Sequence, residues 1–297
     1  MPDWQERIDR GTRPAIRAEH ELRYAAAAPI VRASDTWIDL GCGNGLAAAA
    51  GIGDTYEGCA VLVDVDADAV ELAAQTVAAR EVVALTADLA VAEGVERVRE
   101  QVAAGGENAT VCITCFETIE HLASFVPLVE LLAELAEEAA CTVVLSVPND
   151  AFFGVENPHH ATMWSEAAVE ELRGLLPAEH RRVQQVMLQG SALVEAGEDT
   201  QEVAMVSATA DVPTHELLAF GPLAGDLAIT SRIVQTDLDE QRRWERQRES
   251  DLAFHVAQAR EAEAAAGVLR ARVRELERRL APPAAPPGAE SAAGGEA

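Results

Sequence analysis

The alternation of apolar and polar positions divides the chain into two textures. From residue 36 onward, short β-branched runs alternate with alanine-rich stretches of helical spacing. The runs are TWIDL (36–40), AVLVDV (60–65), VVALTAD (82–88), TVCITCF (110–116) and TVVLSVPN (142–149). Continuous apolar runs of this length, about one helix apart, are the pattern of βαβ units on a parallel sheet. A helix is predicted at about 165–176 and a further strand in RRVQQVMLQGSALV (181–194). A last strand falls either in EVAMVSA (202–208) or in HELLAF (215–220). The expected fold is therefore α/β: a Rossmann-like, seven-stranded, mostly parallel sheet with flanking helices. Residues 1–31 form a helical lead-in and 32–234 the sheet domain. Within 235–280, Leu252, His255, Ala259, Ala262, Ala266, Leu269, Val273, Leu276 and Leu280 follow a 3-4 spacing. That spacing predicts a long C-terminal helix with a coiled-coil seam, through which a homodimer is expected. Residues 281–297, rich in Pro, Ala and Gly, read as disordered.

Charge narrows the partners. All 23 basic residues are arginine and stand against 50 acids, for a net −27; the first 234 residues alone hold 13 Arg and 38 Asp plus Glu, or −25. So acidic a body repels phosphate backbones, which disfavours broad nucleic-acid binding and attraction to anionic membranes. The apolar runs fall short of the roughly 18 residues that span a bilayer, and the charged start MPDWQERIDR lacks the apolar core of a signal peptide. A cytoplasmic protein with no membrane span is expected. Five cysteines, an odd number, do not describe a disulfide framework. Cys112 and Cys115 form a CxxC, but on a strand three residues apart they face opposite sides, against a redox or zinc role.

The strongest local signal is Asp39-Leu40-Gly41-Cys42-Gly43-Asn44-Gly45, after a strand and before an alanine-rich helix. Glycines let this backbone turn tightly and approach a ligand at the carboxyl end of the strand. The next strand ends in Asp64, about 20 residues on, where a carboxylate can hold a ribose diol. With these features the sequence resembles the class I S-adenosylmethionine-dependent methyltransferases over roughly residues 20–195. The resemblance implies that Asp39, Gly41, Gly43 and Asn44 lie under the methionine part of the cofactor. It places Asp64 on the ribose, with Val65 beside it, and Asp88 and Leu89 at the adenine. Phe116 would line the pocket, and Arg23 and Tyr24 would sit on a lead-in helix that closes over the methionine end. Asp66 and Asp68 read as the start of the following helix.

Methyl transfer to an alcohol is an in-line displacement, and the alcohol needs a base or a metal to surrender its proton. Glu117, Glu120 and His121 follow the fourth strand; His159 and His160, then Trp164, follow the fifth. These strand ends are adjacent in the expected fold. The Glu/His pattern resembles the magnesium-dependent small-RNA 2′-O-methyltransferases, which implies Glu117, Glu120, His121 and His160 as ligands of Mg²⁺ or Mn²⁺. Two carboxylates with two imidazoles suit such an ion. A metal-free site in which His121, His159 or His160 is the base, with Glu117 beside it, stays open. His20 reads as near the cofactor; His180, His215 and His255 read as surface or packing residues. Small-RNA recognition calls for basic surface and stacking aromatics, whereas this chain is acidic and only 4% aromatic. The expected acceptor is a neutral hydroxyl compound: a sugar, oligosaccharide or glycosylated natural product. The alternatives are a phenol or quinone-type small molecule, a small RNA, and a non-catalytic scaffold recruiting partners through the C-terminal helix.

Overall fold

A computed structural model describes residues 8–9, 11–106, 109–137, 140–153, 159–177, 181–186 and 213–232, with scattered positions from 246 to 273. The chain divides into two compact units, Met1–Val234 and Gln235–Ala297.

In the first unit, helix α1 (Pro14–Arg32) begins on a proline in its first turn, where the missing N–H costs nothing. It leads into β1 (Thr36–Leu40), α2 (Leu46–Ile52), β2 (Tyr56–Asp64), α3 (Ala67–Thr76), β3 (Ala79–Thr86), α4 (Ala92–Ala104) and β4 (Val111–Cys115). After β4 come a short 3₁₀ turn (Ile119–His121), α5 (Val126–Ala136), β5 (Cys141–Pro148), α6 (Asp150–Phe153), α7 (Glu166–Leu175), β6 (Arg181–Gln185) and β7 (His215–Phe220). The strands form one sheet in the order β3-β2-β1-β4-β5-β7-β6. β1 to β5 run parallel, and β7 is antiparallel to both neighbours. Of the two candidates for the last strand, HELLAF fills the place, while 202–208 lie outside the described residues, as does 187–194 of the longer run expected for β6.

The central strands are buried end to end because helices cover both faces, and their side chains alternate between two cores. Ile38, Val61, Ile113 and Val143 pack with α4, α5 and α7 on one side. Trp37, Leu62 and Val144 pack with α1 and α2 on the other. Cys115 belongs to the first layer and Cys112 to the second, so the CxxC is split across the sheet and both thiols are buried and free. Asp66 caps α3, its carboxylate accepting from the amides of Asp68 and Ala69.

In the second unit the described positions between 246 and 273 are helical, and Leu269 and Val273 are exposed. The coiled-coil seam and the Pro/Ala-rich tail lie mostly or wholly outside the described residues. Among the described residues, no helix is long and apolar enough to cross a membrane.

Where α1 crosses α2, Gly51 leaves no room for a side chain. A Cβ there would stand 2.4 Å from Tyr24 Cβ and 2.5 Å from the Glu21 carbonyl oxygen. Gly51→Ala is expected to lower stability by about 1–3 kcal/mol in urea unfolding, because the backbones must part. A loss below about 0.5 kcal/mol would show that the crossing is looser than described.

Candidate active site

The glycine turn after β1 is built by backbone geometry. Gly41, Gly43 and Gly45 all have positive φ, at 75°, 53° and 74°, a region that side chains with a Cβ adopt only at a cost. At Gly41 a Cβ would also meet Thr118 Oγ1 at 2.1 Å. That hydroxyl, which has two acceptors in reach, lies 3.0 Å from the Leu40 carbonyl and 2.9 Å from that of Phe116, lacing the exits of β1 and β4 together. Asp64 at the end of β2 accepts from the Gly43 amide at 3.0 Å and the Asp66 amide at 3.0 Å, which fixes the turn against the second strand. Asn44 accepts from the Leu46 amide through Oδ1 and donates through Nδ2 to the Ile8 carbonyl. Beyond β3, Asp88 is exposed and accepts from the Ala90 amide, Leu89 is buried, and Val65 is 64% exposed. The glycine turn, Asp64, Val65, Asp88 and Leu89, expected to hold cofactor, thus follow consecutive strands, while Arg23 and Tyr24 lie on α1.

Beneath the turn lies a buried polar chain. Asp39 accepts from Tyr24 Oη at 3.0 Å and from Thr114 Oγ1 at 2.7 Å, and Thr114 accepts from Trp37 Nε1 at 2.8 Å. Tyr24 also meets Phe116 edge-on, with centroids 5.0 Å apart. Burial raises the Asp39 carboxyl to about 7, although both hydroxyls favour the charged form.

The residues after β4 and β5 converge. The carbonyl of Glu120 accepts from the amides of Ala161 at 2.7 Å and Thr162 at 3.3 Å, clasping the segment after β5 to the 3₁₀ turn. One ligand atom each from Glu120, His121 and His160 then lies within 4.8 Å of the others. The imidazoles of His121 and His160 meet edge-on, centroids 5.0 Å apart. His121 Nδ1 is 3.2 Å from the His159 carbonyl, and His160 Nδ1 is 3.3 Å from Asp150 Oδ1. The Glu120 side chain is fully buried, and among the described residues neither of its oxygens has a hydrogen-bond partner. Burial, then the nearby Glu117 carboxylate, pushes its carboxyl well above the usual range. A buried carboxyl without a donor is costly unless a proton or a cation completes it. Beside two imidazoles, the donor set suits a divalent ion.

Glu117, expected as a fourth ligand, is not part of this cluster. Its φ of 49° is the one positive value outside glycine among the described residues, and its amide donates to Ser146 Oγ at 3.2 Å. The carboxylate is thereby turned to Arg23 Nη2 at 3.3 Å and His215 Nε2 at 3.1 Å. Burial would raise Glu117, but the Arg23 and His215 charges more than offset it and hold the carboxyl well below the usual range. Arg23 is 1% exposed and also donates to Gln185 Oε1 at 2.9 Å. His20, three residues earlier on α1, is pushed down to about 4 by burial and then by Arg23, so it is neutral near pH 7. His159 is exposed at the cluster's edge.

A family model described as a methyltransferase domain matches residues 14–197. The chain belongs to this family. Among solved structures, it is similar to the methyltransferase domain of bacterial CtHen1 (16% identity, 68% of this chain and 98% of that one, TM-score 0.42). Others are a SAM-dependent methyltransferase from Archaeoglobus fulgidus (14%, 69% and 93%, 0.41) and the plantazolicin methyltransferase BamL (11%, 70% and 86%, 0.41). No curated protein matches the sequence.

Three participants escaped the sequence reading of this methyltransferase. His215, read as a packing or surface residue, is buried against Glu117 because its register opposite Pro148 sets it at the exit of β5. Gln185 and Asp150 were not singled out. An acid directly after the Val147-Pro148-Asn149 exit is the one trace Asp150 leaves in the sequence.

Asp39 makes a pH dependence. Its folded value of about 7 exceeds the unfolded value of about 3.9, so its contribution to stability is full below about pH 4 and is lost as pH rises through about 7. Urea midpoints of wild type and Asp39→Asn should therefore shift against one another between pH 4 and 7, wild type falling relative to the variant. Parallel profiles would contradict a neutral, buried Asp39.

Proposed function

We propose that this methyltransferase transfers the methyl group of S-adenosylmethionine to a hydroxyl of a neutral acceptor, a sugar, oligosaccharide or glycosylated natural product. Glu120, His121 and His160 would hold a divalent ion that supplies Lewis acidity at the acceptor oxygen. The observation that carries the reading is the buried Glu120 carboxyl, without a hydrogen-bond partner among the described residues, with two imidazoles beside it at the strand ends next to the glycine turn. A divalent ion bound there would lower the proton affinity of an acceptor hydroxyl. The chain's own part is placement. The glycine turn and Asp64 hold the cofactor, and the segments after β4 and β5 hold the acceptor oxygen in line with the sulfonium methyl. That oxygen takes the methyl carbon, the thioether leaves with the bonding pair, and the hydroxyl proton departs on the exposed side, where His121 stands. The net −25 of residues 1–234 favours a neutral acceptor over RNA.

A second reading has its own support. The Asp150 carboxylate lies 3.3 Å from His160 Nδ1, and a histidine beside a carboxylate can serve a phenol or quinone-type acceptor as general base without metal.

Methyl transfer measured with labelled S-adenosylmethionine across vicinal diols, phenols and small RNAs separates the two readings. The metal reading expects turnover of a diol, abolished by chelator and restored by Mn²⁺, and lowered about 100-fold or more by Glu120→Gln. Turnover of a phenol that ignores chelator and survives Glu120→Gln would replace it with the histidine base.

A further inference from the structure

We infer that Glu117 is a specificity-determining residue for the acceptor: its carboxylate accepts a hydrogen bond from a second hydroxyl of the acceptor, one that is not methylated. The inference deepens the hydroxyl-transfer reading above and rests on it.

The edge of the sheet assigns the place. The strand order is β3-β2-β1-β4-β5-β7-β6, and the glycine turn, Asp64 and Asp88 follow β1, β2 and β3. With cofactor on that half, the half over β4, β5 and β7 is left for the acceptor, in line with the sulfonium methyl. Glu117 belongs to the second half. Its amide donates to Ser146 Oγ on β5, and its carboxylate meets His215, which opens β7 opposite Pro148 at the end of β5. It also stands three residues before Glu120, so an acceptor at the Glu120 cluster lies within its neighbourhood.

Two observations mark Glu117 as more than a brace. Its φ of 49° is a conformation that a residue with a Cβ adopts rarely, and such strain gathers at ligand sites. Its charges are also short of hydrogen bonds. The nearest approaches of Arg23 Nη2, at 3.3 Å, and His215 Nε2, at 3.1 Å, are both to Oε1. Yet Arg23 Nε, Arg23 Nη2 and Glu117 Oε1 are buried without a hydrogen-bond partner among the described residues. Buried charges in this state call for a further partner. Arg23 is 1% exposed and the Glu117 side chain 25%, so the way in is through the carboxylate. An ionised carboxylate only accepts, so the partner is a donor, and a neutral polyol supplies hydroxyl donors where an anion is repelled. The cofactor's ammonium is the other donor available at this edge, and the test separates the two.

The full-length protein is assayed with labelled S-adenosylmethionine, a panel of methyl hexopyranosides, and the monodeoxy analogue at each position. Wild type should methylate at least one glycoside. Loss of one hydroxyl other than the methylated one should lower kcat/KM about 100-fold or more. Glu117→Gln, whose neutral amide is the weaker acceptor, should raise the KM of the parent glycoside roughly 10- to 100-fold with little change in kcat. It should narrow the discrimination against the deoxy analogue and leave S-adenosylhomocysteine affinity unchanged. If Glu117→Gln does not fold, Glu117→Asp, which keeps the charge and withdraws it by one methylene, takes its place. Deoxy analogues that all serve as well as their parent overturn the inference and leave the hydroxyl-transfer reading standing. A variant that loses S-adenosylhomocysteine affinity but keeps its glycoside KM also overturns it, and assigns Glu117 to the cofactor ammonium. Absence of turnover with every glycoside overturns the sugar reading itself, and the inference falls with it.

Discussion

The site depends on one backbone clasp. Neighbouring parallel strands β4 and β5 bring their carboxyl ends side by side, but the segments beyond them are free to diverge. The Glu120 carbonyl prevents this by accepting from the amides of Ala161 and Thr162. That bond sets His160, one residue before Ala161, against His121, one residue after Glu120. The clasp uses main-chain atoms alone, so the side chains on both segments are spared for chemistry. Without it, three ligand-type groups separated by some forty residues would have no reason to meet.

Around the clasp, two kinds of buried polar group are kept apart. Glu117 stands on backbone in the left-handed region, a conformation that costs a residue with a Cβ about 1–2 kcal/mol, and its reward is an ion pair with Arg23 and His215. The Glu120 carboxyl, three residues on, has no hydrogen-bond donor among the described residues. The two carboxyls are driven in opposite directions, one held ionised by cations and one pushed toward its neutral form by burial. Active sites use such divergence between neighbouring carboxyls to separate an acid from a base, and structural ion-pair networks produce it too. Both carboxyls lie within residues 14–197, the span that matches the methyltransferase family.

Much of the architecture was legible in the sequence because parallel strands covered on both faces must be continuous apolar runs. TWIDL, TVCITCF and TVVLSVPN needed only their length and spacing to be recognised, and the glycine turn announced itself by residues that tolerate positive φ. The choice between 202–208 and 215–220 was not legible, since both are short apolar runs and only pairing with β5 distinguishes them. For the same reason His215 was misplaced among packing residues: its role follows from register, which periodicity does not encode. The resemblance implied Glu117 at the metal, but a local motif says nothing of Arg23, nearly a hundred residues earlier, which holds the carboxylate in an ion pair.

The central claim is that Glu120, His121 and His160 form a divalent-ion centre, with Glu117 outside it. Anomalous diffraction from crystals grown with S-adenosylhomocysteine and Mn²⁺ tests it most directly. The account predicts a single strong peak bounded by those three side chains, with the Glu117 carboxylate still on Arg23 and His215. A well-ordered site without a peak, or a peak ligated by Glu117 with its ion pair broken, would contradict it.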